Sequence, residues 1–439
     1  MTKKVINQAL KFCVINLGCR VNAFEATVIT DMMIDSGFVL TDEKDAEIFI
    51  VNTCTVTARA DAKVRNTINK INRNKNKQIL VIIGCYSQIN YQYAALHGEI
   101  VLGNKFKNQI PELINQYLKE RKPIVKVDNL AKERNFEENP VFSFCENTRA
   151  VIKIQDGCDF MCSYCLIPYA RGRQRSLAHT KVIDTIKKLV QTGFYEIVLT
   201  GVNTAGYKDE NGYTFYDLLK DINGLEGKFR VRISSIEPFQ INHDIIDLVV
   251  NNKRFVQEFH LCIQNANDEV LKVMNRKYTV KDFIALCDYI RCKNPLMSIT
   301  TDYIVGYSNE TQEFHTNAIE NLKQIKFAFM NIFPYSERKN TAASFTKSIV
   351  SDTEKFNRTK EITKLANTIT HEYLKQFINE TVDVYFEYPK NPNVQQGHSQ
   401  YFFMVYIPHK QSLQHQLHQV KITKVDVDNK VYGELITSC

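Results

Sequence analysis

The sequence predicts an α/β protein in three parts: an N-terminal parallel α/β domain over about residues 10–120, a central partial (β/α)6 barrel over 144–376, and a small C-terminal β-barrel over 377–439. Three observations carry this reading. Apolar strand-like runs alternate with helical periodicity through the first hundred residues. Six further runs recur between about 150 and 336, and short strands without helices fill the end.

In the first part, "FCVINLGC", "AEIFIVNTC" and "QILVIIGC" are three strands with helical stretches between them. That order implies a parallel sheet, whose ligands gather at the carboxyl ends of the strands. Residues from about Pro111 to Thr148 are irregular and charged, and are expected to connect two domains. The second series has strand patterns in "AVIKIQ", "YEIVLTG", "FRVRISS", "FVQEFHLCI", "MSITTDYIVG" and "FAFMNIFPYS". Helical stretches such as "VIDTIKKLVQTG" and "TQEFHTNAIENLKQI" separate them, so chemistry belongs at the strands' carboxyl-terminal face. "SDTEKFNRTKEITKLANTITHEYLKQFINE" is one long polar helix. Past Thr381, "TVDVYFEY", "YFFMVYIP", "HQVKITKVDVD" and "KVYGELI" are the strands of the small barrel.

At 439 residues, 44% hydrophobic and 24% charged, the composition is that of an ordinary globular protein. No apolar run approaches the roughly 20 residues that span a bilayer. The start has lysines but neither a continuous apolar core nor a small-residue cleavage site, so no signal peptide is read and a cytoplasmic location is expected. There, twelve cysteines are not expected to form structural disulfides, and some of them should be metal ligands. The net charge of +8 permits an anionic partner without demanding one. "RADAKVRNTINKINRNKNK" (Arg59–Lys77) holds seven basic residues against one acidic. It is either a solvated helix face or a track for phosphates.

The cysteines fall into two groups. Cys19, Cys54 and Cys85 each end one predicted strand, and parallel strands bring those ends together, so shared metal ligation is expected. "GCDFMCSYC" puts Cys158, Cys162 and Cys165 in a C-x3-C-x2-C loop after the first barrel strand. Structural zinc wants a fourth ligand, and only Cys145 in the connector is near in sequence. A four-iron cluster on three thiolates instead leaves one iron open to an outside ligand, which makes a reaction site.

Here the sequence resembles a known family. C-x3-C-x2-C with the aromatic Tyr164 before its last cysteine is similar to radical S-adenosylmethionine enzymes. "QDGCDFMCSYCLIPYARGRQRS" resembles their methylthiotransferase branch, as do "NLGCRVNAFEA", "VNTCTVTARADAKVR", "IIGCYSQ", "IVLTGVN", "RISSIEP", "TTDYIVG" and "FPYSERKNTAA". The resemblance implies two [4Fe-4S] clusters, one on each cysteine triad, with S-adenosylmethionine chelated at the open iron of the Cys158 site. It implies a radical that takes hydrogen from C2 of adenosine 37 in a tRNA anticodon loop. Sulfur then arrives from the second cluster and methyl from a second S-adenosylmethionine. An external reductant is implied, and a monomer is expected. The C-terminal barrel stands where the family has an RNA-binding TRAM domain.

Motif match and strand-end position together assign Tyr164, Gly201, Asn203, Ser234, Ser235, Gln264 and Asp302 to the S-adenosylmethionine pocket. Lys63, Arg65, Lys70 and Arg73 on the basic helix, with Arg171, Arg173 and Arg175 beyond the cluster loop, are expected to face RNA. Tyr401 or Phe402 would supply stacking in the tail. "NTCTVTARADAKVR" resembles the branch acting on threonylcarbamoyladenosine, through Thr55-Val56-Thr57. The alternatives are isopentenyladenosine or a ribosomal protein as substrate, or an iron–sulfur RNA-binding module without turnover. The sequence departs from the family at Ser308-Asn309, usually Pro-Gly, at Cys262 and Asn265, usually Ser, and at Asn340, usually Gly. Asparagine tolerates the left-handed backbone, so Asn309 and Asn340 are expected to preserve turns, and Cys262 is expected to be a packed strand residue.

Overall fold

The computed structural model describes residues 10–137, 148–389, 391 and 393–436. Cys145 and the beginning of the expected second domain lie outside them. The N-terminal sheet is wholly parallel. Its strands are β1 (Lys11–Asn16), β2 (Val39–Leu40), β3 (Ile48–Thr53), β4 (Ile79–Gly84), β5 (Ile100–Leu102) and β6 (Ile124–Lys126), in the order β2-β1-β3-β4-β5-β6. β3 and β4 are buried at every position, which is why both are apolar runs without alternation. Separate hydrophobic clusters cover the two faces, one around Phe12, Ile29 and Ile110 and the other around Phe49, Val64 and Ile68.

The expected connector is partly wrong. Ile110–Glu120 is a helix whose Ile110, Leu113 and Ile114 are buried, and β6 pairs in parallel with β5. The first domain therefore reaches Lys126. β2, β5 and β6 are two or three residues long, too short for a periodicity to announce them.

The second domain has β7 (Ala150–Lys153), a two-stranded β8–β9 hairpin (Gln155–Asp156, Arg175–Ser176), then β10 (Glu196–Thr200), β11 (Arg230–Ile233), β12 (Glu258–His260), β13 (Ser298–Val305) and β14 (Phe329–Pro334). β7-β10-β11 and β12-β13-β14 are parallel sheets, joined by parallel bridges Val231–Phe255 and Ile236–Leu261. All six expected barrel strands are present. The polar helix Asp352–Lys375 begins with a capping box on Ser351 and Glu354 and buries Ile362 and Ala366.

The tail is a closed barrel in the order β15-β16-β17-β19-β18: Thr381–Phe386, Val394–Ser399, Met404–Pro408, Val431–Leu435 and Leu417–Val425. It docks where the central strands start. Arg149 pairs with Glu196 and Glu387, Arg230 donates to the His398 carbonyl at 3.1 Å, and the Gln257 amide donates to the Gln400 carbonyl at 2.7 Å.

Candidate active site

The first triad is assembled by register. Asn16 lies opposite Asn52, and Thr53 opposite Gly84. Cys54 and Cys85 thus leave adjacent strands side by side, and Cys19 follows β1 as the N-cap of α1 (Arg20–Asp35). Side chains lock the three ends together. Asn22 donates to the Asn52 side chain at 3.0 Å and the Thr53 carbonyl at 3.1 Å, while its Oδ1 accepts from the Cys19 thiol at 3.4 Å. The Thr53 hydroxyl donates to the Ile83 carbonyl. Gly84 has φ 103°, and a Cβ there would sit 2.6 Å from the Thr53 carbonyl oxygen, so only glycine turns the chain into Cys85.

The second triad is held in a loop pinned by distant segments. Gly157 has φ 70°, and a Cβ there would meet the Arg173 carbonyl oxygen at 2.0 Å. Ser163 donates its amide to the Met274 carbonyl at 3.1 Å and shares a 2.6 Å hydrogen bond with the Tyr307 hydroxyl. Arg276 donates to Cys162 Sγ at 3.3 Å and pairs with Glu237.

Burial pushes the Cys54 thiol up to about 11, with Cys85 next in effect, and pushes Cys158 and Cys165 each to about 12. The thiols of each triad act electrostatically on one another, Cys54 on Cys85 and Cys19, Cys165 on Cys162 and Cys158. Converging thiols that burial keeps protonated are a donor set that a metal centre would deprotonate as it binds. Three sulfurs at each site fit a four-iron cluster with an open iron. Buried polar atoms nearby also lack partners: both side-chain polar atoms of Asn203 and the Ser234 hydroxyl. They fit a polar cofactor such as S-adenosylmethionine.

A cavity of about 620 Å³ runs through the barrel. Cys19 and Arg20 reach it from the first domain, Gly201, Ser234, Ser235 and Asp302 from strand ends, and His398 and Phe402 from the tail. Burial alone would raise the Asp302 carboxyl, but hydrogen bonds from His260 and Asn331 and the His260 charge hold it below its ordinary value. Tyr164, Asn203 and Gln264 are not on this wall. Tyr164 packs edge-on to Tyr307 with ring centres 6.3 Å apart. Asn203 is buried behind it, its amide donating to Gln155 Oε1 at 2.8 Å, and Gln264 makes a left-handed turn whose carbonyl accepts from Ile304.

The structure corrects several residue roles. Arg171 is only 1% exposed: its guanidinium donates to Glu25 and Asp156, both at 3.0 Å, and to Asn22 at 3.1 Å. Arg175 is also buried on Asp156, at 3.1 Å. With Lys107 and Lys153 on Glu25, they form an ionic seam between the two domains, so neither faces RNA; Arg173 alone of the three is exposed. On α2 (Ala58–Asn72), Lys63 and Lys70 are exposed, as is Arg73 just after it, and they share one side at 3.6 residues per turn. Arg65 points the other way and hydrogen-bonds Tyr86. Tyr401 packs on Phe377 at 5.0 Å between ring centres, and Phe402 lies on the Arg232 guanidinium at 3.5 Å, so both are occupied within the protein.

The subgroup signature has a structural meaning. Thr55 donates to Asp61 at 2.8 Å and accepts from Arg338 at 2.8 Å, tying the first domain to the loop after β14, while Thr57 caps α2. Val56 between them is 57% exposed. Asn340 has φ 69°, as its place in a glycine turn requires, but Asn309 is not left-handed and instead donates to the Glu269 carbonyl at 3.3 Å. Asn265 is fully buried, bonded to Ile304 and Glu310. Cys262 is buried as expected, yet its sulfur groups with His260 and Asp302 within 4.8 Å, at the cavity. Arg20, Arg232, Glu258 and His260 were missed in the sequence. A paired Arg and Glu on neighbouring inward-facing strand positions is the only signal that pointed to two of them.

Three cysteines at the mouth of a six-stranded partial barrel define a radical S-adenosylmethionine enzyme, and residues 152–318 match the radical SAM superfamily. Residues 11–102 match a family described as uncharacterized protein family UPF0004. The threonylcarbamoyladenosine tRNA methylthiotransferase MtaB of Bacillus subtilis (strain 168) is 34% identical over 93% of this chain and 92% of its own. That of Thermotoga maritima is 34% identical over 88% of each. A tRNA-2-methylthio-N(6)-dimethylallyladenosine synthase of Desulforamulus reducens is 30% identical over 99% of this chain and 97% of its own. The chain belongs to the radical SAM methylthiotransferase family, whose enzymes use S-adenosylmethionine and [4Fe-4S] clusters. In fold it is similar to the radical S-adenosylmethionine methyltransferase TsrM of Kitasatospora setae, with a TM-score of 0.53 at 16% identity over 74% of this chain and 73% of that one. No helix among the described residues is long and apolar enough to cross a membrane.

Proposed function

We propose that this enzyme methylthiolates C2 of N6-threonylcarbamoyladenosine at position 37 in the anticodon loop of tRNA, in the cytoplasm, as a monomer fed by an external reductant. The observation that carries the reading is that Cys19 and the strand-end residues Ser234, Ser235 and Asp302 line one cavity. A base in that cavity lies beside Cys19, the exposed member of the first triad. When bound, the clusters and S-adenosylmethionine supply a radical able to take hydrogen from an unactivated aromatic carbon, together with the sulfur and the methyl group.

The chain's own residues do the rest. Cys158, Cys162 and Cys165 would hold one cluster and Cys19, Cys54 and Cys85 the other. Ser234 offers an unpartnered hydroxyl to S-adenosylmethionine on the cavity wall, Asn203 offers unpartnered polar atoms away from that wall, and Gly201 lets the Gln155 side chain pack close against the strand end. The tail closes the barrel floor with Phe402 over Arg232, which keeps water from entering behind the base. Lys63, Lys70, Arg73 and the exposed Arg173 meet phosphates, which position the loop without reading sequence. An anticodon loop makes extrusion of its base inexpensive.

Mass spectrometry of tRNA nucleosides from cells lacking this protein tests the proposal. Accumulated threonylcarbamoyladenosine with loss of its 2-methylthio form is expected. Loss of the methylthio form of isopentenyladenosine alone would overturn the substrate while leaving the family intact.

A further inference from the structure

Arg20 is the first residue of α1 and directly follows Cys19. Both line the central cavity. The other basic residues on that wall have protein anions to meet. Arg232 grips Glu258 with Nε at 2.9 Å and Nη2 at 3.0 Å, His260 faces Asp302 at 3.4 Å, and His398 pairs with Glu387. The cavity's anions are likewise satisfied: Glu258 also accepts from Thr300 at 2.9 Å, and Asp302 from Asn331 at 3.0 Å. Arg20 is different. Its guanidinium makes no hydrogen bond or ion pair with any described residue. Glu258 and Asp302 reach it only through longer-range charge, which Arg232 and Arg149 oppose, so this exposed guanidinium on the cavity wall is open to an anionic group of a ligand.

Resting on the substrate reading above, we propose that Arg20 recognises the free carboxylate of the threonylcarbamoyl group and thereby selects this adenosine over one carrying an uncharged alkyl group. The chemistry of the purine supports the placement. C2 and the N6 substituent project from the same Watson–Crick edge. A base that presents C2 towards the Cys19 triad therefore carries its N6 substituent past the same wall, and Arg20 is bonded to Cys19. Guanidinium and carboxylate match as a planar two-pronged pair. An isopentenyl group would bring no acceptor and would leave the guanidinium desolvated, so the same residue that attracts one substrate rejects the other.

The test uses the full-length, cluster-loaded protein and anticodon stem–loop RNAs carrying threonylcarbamoyladenosine, its carboxyl methyl ester or isopentenyladenosine. Binding of each is measured by competition. The parent enzyme is expected to bind the acid about 10- to 100-fold more tightly than the ester, the range of a charge-assisted hydrogen bond. R20Q should bind acid and ester alike, and R20K should retain part of the preference because it keeps the charge but not the fork. An unchanged acid-to-ester ratio in R20Q overturns the assignment, as does a weakened affinity for S-adenosylmethionine with that ratio intact. If R20Q fails to hold its iron, R20K decides: a reduced ratio supports the assignment and an unchanged one overturns it. A parent enzyme that prefers the isopentenyl RNA refutes the substrate reading itself, an outcome separate from a parent preference that survives in R20Q.

Discussion

The two cysteine triads each gather three thiols, by opposite routes. Cys158, Cys162 and Cys165 lie within one nine-residue stretch, so a single loop conformation brings them together. Cys19, Cys54 and Cys85 are separated by thirty or more residues and meet only because β1, β3 and β4 pair in parallel register. The local triad needs a correct turn, whereas the distributed one needs a folded domain. What joins them is the ionic seam of Glu25, Asp156, Lys107, Lys153, Arg171 and Arg175. Arg171 sits in that seam near Cys85 and follows the loop of the other triad.

The largest effects come from the triads themselves. Replacing Cys158, Cys162 and Cys165 by alanine should remove about half the iron and abolish S-adenosylmethionine cleavage, as expected for a cluster that takes its ligands from three thiolates. Replacing Cys19, Cys54 and Cys85 should remove the other half and stop sulfur insertion while cleavage continues. Iron analysis and 5′-deoxyadenosine release separate the two. Loss of cleavage in a folded Cys19/Cys54/Cys85 variant would show that the sites are not independent.

A smaller effect tests how far the distributed triad depends on the seam. Arg171→Ala leaves Glu25 and Asp156 buried with fewer counter-charges, at a cost of about 3–5 kcal/mol for breaking a buried ion pair. Arg173→Ala, at an exposed site, should change stability little. The thermal midpoint should fall for the first variant alone, and iron should be lost from the Cys19 triad before the Cys158 triad. Equal iron loss from both sites would break the distinction.

Acid probes the same seam more gently. Burial alone would raise the Glu25 carboxyl, but Arg171, Lys107 and Lys153 hold it far below the ordinary carboxylate value of 4.5, and Asp156 is held down in the same way by Lys153 and Arg171. Groups with depressed folded-state values stabilise the protein above their unfolded value and lose that stabilisation as pH falls below it. The protection of α1 against hydrogen exchange, taken relative to the intrinsic rate at each pH, should therefore fall below about pH 4.5, and Glu25→Gln should flatten this dependence. Protection that is unchanged across that range would place the stabilising energy elsewhere.

The smallest expected effect concerns RNA. Replacing Lys63, Lys70 and Arg73 with glutamine should weaken binding to every tRNA and lower the salt slope by about one unit for each phosphate that is no longer neutralised. Arg65→Gln should leave that slope unchanged, because its guanidinium is engaged with Tyr86. A slope that falls as far for Arg65 as for Lys63 would put both faces of the helix on RNA.

The sequence by itself determined what short-range pattern can carry. The six barrel strands, the capped helix at Asp352 and the C-x3-C-x2-C loop were all legible, because hydrophobic period, capping residues and ligand spacing are local properties. The convergence of Cys19, Cys54 and Cys85 was legible too, through the rule that parallel strands align their ends. β2, β5 and β6 were not, since two or three residues hold no period.

Only the tertiary structure decided where charges and rings point. Arg171 and Arg173 are two residues apart in the same basic stretch, yet one is buried on Glu25 and the other lies at the surface. A guanidinium in a sequence carries no mark of whether its counter-ion is a protein carboxylate, a phosphate or a substrate. Phe402 closes the barrel floor because a guanidinium 170 positions earlier in the chain lies beneath it, and Arg20 enters the cavity because its domain docks on β7. Those partners are chosen by packing between domains, and such packing leaves no periodic trace in the chain.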